Sequence, residues 1–426
     1  MWKKPEKPVP IDPSQVVVGL YLWLDVSWDD HPFIYNRFKV SDEKQVATIR
    51  ALPIHGKLYY HPEKSSSQPA PLIEASTLSE PPTHAEVDQA AEMAREMARQ
   101  NKEKHERLQK QKDAAARADR AWEQAARVTR EAMLGMGRSP KQAGEQLLDL
   151  SKSTASLISK GDEVLLHLLG DKEGEGPQFH ALNVMTLAMV LGKVAGLTEA
   201  QLSELALGTL AHDIGKFKIP QHILKSNSRP KHEEAFYREH GAYGLELAKI
   251  SGAFGPTALS IIADHHEYID GSGWPTGKKT AGPAARIAAL VNRYDRLCSP
   301  ESPDREALMP SEALARLFKV EAVRFDQRLL STLIRLLGVY PPGTLVKLND
   351  ESLGLVISPG KESLRPTVLI YSPEMDKREA PTVDLALVES LKIEEALRPA
   401  SLPPDVLLWM NPRQRLSYFF TTEKTR

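Results

Sequence analysis

Residues 211–224 read AHDIGKFKIPQHIL and place an adjacent histidine and aspartate, His212 and Asp213, at the end of an amphipathic pattern. The preceding residues, EAQLSELALGTL, repeat apolar side chains at helical spacing, which predicts a helix that ends at this pair. Similar patterns, including KGDEVLLHLL (160–169), predict further helices across residues 139–337. We therefore expect a mainly α protein, with a helical bundle around the histidine–aspartate pair.

Both flanks of this helical region have a different pattern. PIDPSQVVVGLYLWL carries a β-branched and aromatic run bounded by turn residues, which predicts a strand. LVKLNDESLGLVISPG and RPTVLIYSP predict short strands, and the tail after Asp384 returns to mixed helix. We expect five segments: a small N-terminal regulatory domain, β-rich or α/β (1–63), a linker (64–84), a long charged helix or connector (85–138), the helical domain (139–340) and a C-terminal extension with short strands (341–426).

The segment between the linker and the bundle consists mostly of strong helix formers. It contains neither Pro nor Gly from Ala85 to Leu134, so a long helix is expected. From Arg99 to Asp113, Leu108 is the single large apolar residue, which is too few for a buried face. Two interpretations stay open: a solvated connector, or a weak helical pairing surface through which a homodimer forms.

Composition excludes several classes of protein. The chain has 426 residues and a net charge of -1, so no global charge attracts a nucleic acid polymer or an anionic membrane. A single cysteine, Cys298, excludes an internal disulfide and fits a reducing compartment. No apolar run approaches the ~18–20 residues that span a bilayer, and the first residues lack a secretory signal. We expect a soluble cytoplasmic protein.

Five histidines and one aspartate form an ordered set in the helical region. Imidazole and carboxylate are ligands for borderline divalent metals, and six ligands exceed what one tetrahedral ion takes. We therefore expect two divalent ions, bridged by the carboxylate, which has two oxygens. The expected ligands are His180, His212, Asp213, His240, His265 and His266.

Two metal ions about 3.5–4 Å apart suit phosphodiester hydrolysis, because they activate a shared water and neutralise phosphate charge. Lys216, three residues after Asp213, is placed to hold a phosphate oxygen. In the turn HHEYIDGSGWP (265–275), Gly271 and Gly273 allow a close main-chain approach to a ligand. In the same turn, Pro275 stiffens the exit, and Trp274 is either a stacking face for a purine or a core aromatic.

Together these motifs resemble the HD-GYP family of cyclic di-GMP phosphodiesterases. The matching stretches are AHDIGKFKIPQHIL, YREHGAYGLELA, IIADHHEYIDGSGWP and ARIAALVNRYDRL, within residues 172–340. The segment beginning VPIDPSQVVVGLYLWL resembles a small domain of unknown function that precedes many such domains, and YPPGTLVKLNDESLGLVI resembles the C-terminal extension of the same subgroup.

The resemblance implies an HD-type bundle that hydrolyses cyclic di-GMP to pGpG and GMP in bacterial second-messenger signalling. It implies that the six residues above bind two metal ions, with iron or manganese favoured, and that Lys216 contacts the phosphate. Gly271, Gly273, Trp274 and Pro275 would shape the substrate pocket and recognise a partner, such as a GGDEF-type signalling protein.

The sequence departs from the family pattern near two of these functions. Asn292 stands where the family has a metal-ligating aspartate, which predicts weaker metal occupancy there. Asp295 matches a second aspartate, which we interpret as a structural residue that hydrogen-bonds locally. Arg305 matches the last basic residue of a substrate-binding element, but Glu301 lies where its first arginine is expected. The alternative functions are a catalytically impaired regulator that binds nucleotide or a signalling partner, and another nucleotide phosphohydrolase of the HD superfamily.

Overall fold

The computed structural model divides the chain into two compact units. One unit comprises residues 1–114, 345–355 and 367–410, and the other comprises residues 115–344, 356–366 and 411–426. The structure describes residues 8–26, 31–33, 36–72, 99, 113, 117, 120–160, 163–168, 176–226, 228–301, 306–360, 362–372, 377, 380–388, 390–410 and 418–423.

The N-terminal part of the first unit is a four-stranded antiparallel sheet with one helix. Its elements are β1 (Val9–Pro10), β2 (Tyr21–Leu24), β3 (Arg37–Lys39), α1 (Glu43–Ala51) and β4 (Leu58–Tyr60), with the strand order β1-β4-β2-β3. The side chain of Asp42 accepts a hydrogen bond from the backbone N–H of Gln45 and so caps α1. The predicted β-rich or α/β fold of this region is confirmed, although the strand predicted from residue 10 begins only at Tyr21, after a 3₁₀ turn over Pro13–Gln15. Its bounds as a domain, residues 1–63, stay a prediction.

The second unit contains the helical bundle. Its helices are α2 (120–135), α3 (Pro140–Lys160), α4 (Pro177–Val194), α5 (Glu199–Ala211), α6 (Gln221–Leu224), α7 (Lys231–Arg238), α8 (His240–Ser251), α9 (Pro256–Asp264), α10 (Pro283–Cys298), α11 (Pro310–Lys319) and α12 (Gln327–Leu337). The mainly α fold predicted from the sequence is confirmed. No helix among the described residues is long and apolar enough to cross a membrane.

The middle of the bundle is α4, which is buried on all sides. Every residue from His180 to Gly192 is buried, so this helix lacks the solvent-facing stripe of a surface helix. The following helix, α5, begins with a capping box in which Thr198 and Gln201 satisfy each other's backbone N–H groups. These two helices carry the first histidine and the histidine–aspartate pair into the interior.

The long helix predicted for residues 85–138 is described mainly at its C-terminal end. Helix α2 covers residues 120–135. Its Trp122 stacks on Phe179 with ring centroids 5.0 Å apart. Met133 in the helix and Met136 just after it are buried in the core. This end is therefore part of the bundle rather than a solvated connector. The segment from Ala85 to Asp119 lies almost entirely outside the described residues, and the choice between connector and pairing surface stays a prediction there.

Strands return after the bundle, as predicted. They are β6 (Leu345–Leu348), β7 (Leu353–Ser358), β8 (Thr367–Ile370), β9 (Thr382–Asp384) and β10 (Ile393–Leu397), in the order β10-β6-β7-β8-β9. The mixed helix predicted after Asp384 is only partly right. Helix α13 (Pro404–Met410) forms there, but β10 precedes it and β11 (Tyr418–Glu423) follows it.

The helix predicted over KGDEVLLHLL is wrong. Helix α3 ends at Lys160, and Glu163–Leu168 forms strand β5, which pairs antiparallel with β11. A short apolar run fits either a buried helix or a strand, and periodicity alone does not separate them. Its pairing partner lies near the other end of the chain, so the local pattern carries no sign of it.

Candidate metal centre

Four helices bring the predicted ligands together inside the bundle. His180 lies in the first turns of α4, His212 ends α5, and His240 begins α8. His265 and His266 follow the last residue of α9, while Asp213 follows His212 directly. Each histidine except His180 thus sits at a helix end, where its side chain can reach a common interior space.

The first group of ligand atoms comes from His180, His212 and Asp213. The Nε2 atoms of the two imidazoles lie 3.1 Å apart. Oδ2 of Asp213 lies 3.7 Å from Nε2 of His180 and 3.4 Å from Nε2 of His212. Three ligand atoms at this spacing can bind one cation between them, since zinc and similar metals take imidazole nitrogen and carboxylate oxygen at about 2.0–2.2 Å.

The second group contains His240, His265, His266 and the same aspartate, Asp213. Nε2 of His240 lies 3.3 Å from Nε2 of His265, and Oδ1 of Asp213 lies 3.4 Å and 3.7 Å from these two nitrogens. Among the described residues, Oδ1 of Asp213 and Nε2 of His266 are buried without a hydrogen-bond partner. Such orphaned polar atoms are costly unless a ligand satisfies them, so the residues fit a bound cation.

Backbone carbonyls set the orientation of three of these imidazoles. Nδ1 of His212 donates to the carbonyl of Thr209 at 2.7 Å, and Nδ1 of His240 donates to that of Tyr237 at 2.8 Å. His265 makes the equivalent bond, 3.0 Å long, to the carbonyl three residues before it. Because a carbonyl can only accept, Nδ1 must carry the proton, and the lone pair of Nε2 faces the cluster.

His180 is oriented by a carboxylate instead. Its Nδ1 donates to Oδ2 of Asp295 on α10 at 2.6 Å, and Asn183 donates to the other oxygen of the same carboxylate at 2.9 Å. The interpretation of Asp295 as structural stays a prediction, but its hydrogen bonds are not local, because they join α10 to α4.

Burial keeps four of the five clustered imidazoles neutral. Burial, with the positive charge of Lys216 second, lowers the pKa of His240 to about 4. Burial likewise holds the pKa values of His180, His265 and His266 well below their ordinary range. Only the neutral imidazole offers a lone pair to a metal, so these four imidazoles are in their ligating form at neutral pH.

Asp213 is ionised and contacts two cationic side chains, those of Lys216 and Arg296. Burial alone would raise its pKa, but the positive charges of Lys216 and Arg296 outweigh that effect and hold the pKa well below its usual range. Its Oδ2 lies 2.8 Å from Nζ of Lys216 and 2.7 Å from Nη2 of Arg296. Both cations also contact Glu301, the arginine at 3.0 Å.

The glycine-rich turn packs against the second ligand group. Trp274 stacks on His266 with ring centroids 3.9 Å apart and meets His240 edge-on at 5.2 Å. The indole is half-buried, so it is not the core aromatic of the alternative interpretation, and its role in stacking a purine stays a prediction. Gly271 has φ +84°, and Pro275 is exposed.

Gly273 allows two backbone segments of this turn to lie close together, whereas the predicted approach of the main chain to a ligand stays a prediction. A Cβ at this position would collide with the carbonyl oxygen of His266 and lie within 2.6 Å of Cα of Glu267. The backbone N–H of Trp274 also donates to that carbonyl at 3.1 Å. The glycine therefore holds the tryptophan against the imidazole.

The remaining predicted positions differ in what the structure describes. Asn292 is buried on α10, and its Oδ1 has no hydrogen-bond partner among the described residues, while its role as a metal ligand stays a prediction. Arg305 lies outside the described residues. The sequence analysis missed Arg296 at the cluster and the pairing of Glu301 with Lys216. A signal was present, because Arg296 follows Asn292 by four residues and so shares its face of α10.

These features define a class: a helical bundle with a buried histidine–aspartate cluster suited to divalent metals. Residues 145–329 match the model of the HD domain, and residues 9–147 match a domain of unknown function, DUF3391. The chain therefore carries an HD domain preceded by this domain of unknown function, and both assignments made from the sequence are confirmed.

The curated relatives are bacterial proteins. The chain is 26% identical over 390 residues to a cyclic di-GMP phosphodiesterase of Pseudomonas aeruginosa, covering 89% of both chains. It is 34% identical over 160 residues to a cyclic di-GMP phosphodiesterase response regulator of Xanthomonas campestris, covering 35% of this chain and 41% of the relative. It is 31% identical over 129 residues to a 3'3'-cGAMP-specific phosphodiesterase of Vibrio cholerae, covering 29% of this chain and 24% of the relative.

Proposed function

We propose that the chain is a metal-dependent phosphodiesterase of the HD-GYP type that hydrolyses cyclic di-GMP to pGpG and onward to GMP. The observation that carries the proposal is the placement of Asp213, whose two carboxylate oxygens face different groups of histidines. The names of the relatives from Pseudomonas and Xanthomonas support the reaction and the substrate. A role in bacterial second-messenger signalling follows from that substrate.

Two cation positions that share Asp213 account for the whole ligand set. His180 and His212 would hold one ion, with Asn292 as a further oxygen ligand, and His240, His265 and His266 would hold the other. Iron and manganese suit such nitrogen and oxygen ligands. When bound, divalent ions at such a site supply Lewis acidity and a more acidic water.

The chain's own residues supply positioning and charge. The imidazoles are fixed by their Nδ1 hydrogen bonds, so their Nε2 atoms need little reorganisation to bind a cation. Lys216 places a positive charge beside Asp213, where an oxygen of a phosphodiester could be held. Trp274 presents its ring next to His266, in a place where a purine could stack.

The second candidate is a catalytically impaired regulator that binds nucleotide or a protein partner without cleaving the nucleotide. Two observations favour it: Asn292 replaces a charged ligand, and Glu301 pairs with Lys216, the expected phosphate contact. For either candidate we also propose a cytoplasmic location and a homodimer that forms through helices. We further propose that a GGDEF-type partner binds at Gly271–Pro275.

A metal-controlled turnover assay separates the two candidates. We expect protein purified without oxygen and loaded with iron or manganese to convert cyclic di-GMP to pGpG, with 3'3'-cGAMP as a parallel substrate. Asp213→Ala should abolish product because it removes a ligand of both groups, whereas Glu246→Gln, in an exposed pair with Lys218, should leave turnover unchanged. Absence of product at every metal loading would exclude the hydrolase and favour the regulator.

A further inference from the structure

Three donors converge on the carboxylate of Glu301. Tyr237 donates its hydroxyl to Oε2 at 2.8 Å, and Nη2 of Arg296 lies 3.0 Å from Oε1. Nζ of Lys216 also binds Oε1. An ammonium, a guanidinium and a phenol around one carboxylate form an anion-binding arrangement, in which charge-assisted hydrogen bonds are the strong ones.

This anion-binding arrangement adjoins the metal ligands. Lys216 and Arg296 also contact Oδ2 of Asp213, at 2.8 Å and 2.7 Å, so the two cations lie between two carboxylates. Of these two carboxylates, that of Asp213 belongs to both groups of candidate metal ligands. An anion in the place of Glu301 would therefore contact Lys216 and Arg296, the two side chains that also contact the candidate metal ligand Asp213.

The three donors are more deeply buried than the carboxylate of Glu301. The side chain of Lys216 is 13% exposed and that of Arg296 18%, whereas that of Glu301 is 31% exposed. The guanidinium of Arg229 lies 3.9 Å from the ring centroid of Tyr237 and helps to fix the phenol. Glu301 is thus the most exposed of the four side chains and the one best placed to turn towards solvent while the three donors keep their positions.

The electrostatics agree with a site that favours negative charge. Burial would raise the pKa of Glu301, but Arg296 and Lys216 outweigh it and bring the pKa well below its ordinary value. The carboxylates of Asp213 and Glu301 raise the pKa of Lys216 against the effect of its burial. Both cations therefore remain charged and available to any anion that displaces Glu301.

We propose that Lys216, Arg296 and Tyr237 form a phosphate-binding subsite, and that the carboxylate of Glu301 occupies this subsite in the resting protein. The phosphate would take the hydrogen bonds that Glu301 now accepts, and Glu301 would turn outward. If the proposed function holds, the occupant is a phosphodiester group of the substrate, and Glu301 is a built-in competitor that weakens substrate binding.

Phosphate binding to metal-free protein tests the subsite without any need for turnover. We would titrate inorganic phosphate by calorimetry into full-length wild type, Glu301→Gln and Glu301→Ala, after chelation of metals. Removing the competing charge should raise phosphate affinity about tenfold in both variants, because charge-assisted hydrogen bonds become free. Glu246→Gln removes one negative charge from an exposed pair with Lys218 and is the matched control.

The double variant Glu301→Ala/Arg296→Ala should lose the increase in phosphate affinity. This loss would show that the increase depends on the guanidinium of Arg296 and not on the overall charge of the protein. Phosphate affinity within twofold of wild type in both Glu301 variants would overturn the proposal, as would an equal gain in Glu246→Gln. A gain in phosphate affinity without hydrolysis of cyclic di-GMP by any metal-loaded variant would leave the subsite standing and reject the proposed function.

Discussion

His180 and Asp295 are joined by a 2.6 Å hydrogen bond between two buried side chains, one on α4 and the other on α10. The bond fixes which nitrogen of the imidazole faces the cluster and makes that nitrogen more basic. It differs from the arrangement of His212, His240 and His265, whose Nδ1 atoms donate to backbone carbonyls. Unlike these three imidazoles, His180 therefore depends on a second side chain for its orientation.

Replacing Asp295 with Asn should weaken metal binding without removing a ligand. Loss of such an outer partner lowers metal affinity about 10–100-fold, because the imidazole loses basicity and orientation. The measurement is metal content and affinity, by elemental analysis and competition with a chelator. Asn183→Ala is the control, since it removes the bond to the other oxygen of Asp295 and leaves His180 paired. Equal metal affinity in wild type and Asp295→Asn would contradict this role.

The clustering of the six candidate ligands could be predicted from the sequence, because each of them lies in a short local motif. The contacts around Glu301 could not be, since Lys216 and Glu301 are separated by 85 residues and meet only through the packing of α10. The same holds for strand β5, whose partner β11 is distant in the sequence. Local patterns thus predicted the residue types at the site, while long-range packing decided which charges neutralise one another.

Asn292→Asp should strengthen the cation position next to His180 and His212. The new carboxylate keeps the Oδ1 of Asn292, which is buried without a hydrogen-bond partner among the described residues, and adds the negative charge that the amide lacks. We expect more metal per chain and faster hydrolysis of cyclic di-GMP. Asn292→Ala, which removes the oxygen altogether, should lower metal content below wild type. If the Asp and Ala variants bind the same amount of metal as wild type, position 292 is not a ligand.

Gly273→Ala should destabilise the turn that carries Trp274. The added methyl group would overlap the backbone of His266 and Glu267, so the loop must shift, at a cost of about 1–3 kcal/mol in unfolding free energy. Denaturant titration measures this cost. Gly137→Ala is the matched control, because a Cβ there meets no atom within 4 Å. A Gly273→Ala protein as stable as the control would show that the close approach is not required.

Acid should destabilise the metal-free protein through its buried histidines. The pKa of His240 is about 4 in the folded protein against 6.5 in the unfolded chain, so between these values the unfolded chain binds more protons. Stability is therefore complete above pH 6.5 and is lost as the pH falls towards 4, by about 1.4 kcal/mol per pH unit for each such histidine. The two carboxylates beside the histidines, Asp213 and Glu301, also have lowered pKa values, but their contribution to stability is lost only at lower pH, below their ordinary values of 3.8 and 4.5.

Denaturant unfolding at several pH values between roughly 7.5 and 4.5 measures this slope in chelated protein. His240→Gln cannot titrate and should show a shallower slope, whatever its stability at neutral pH. His222→Gln, which replaces an exposed histidine on α6, should keep the wild-type slope. Added manganese should oppose the loss of stability, because metal binds the neutral imidazoles of the folded state. A slope unchanged by His240→Gln would show that this imidazole is not held neutral by burial.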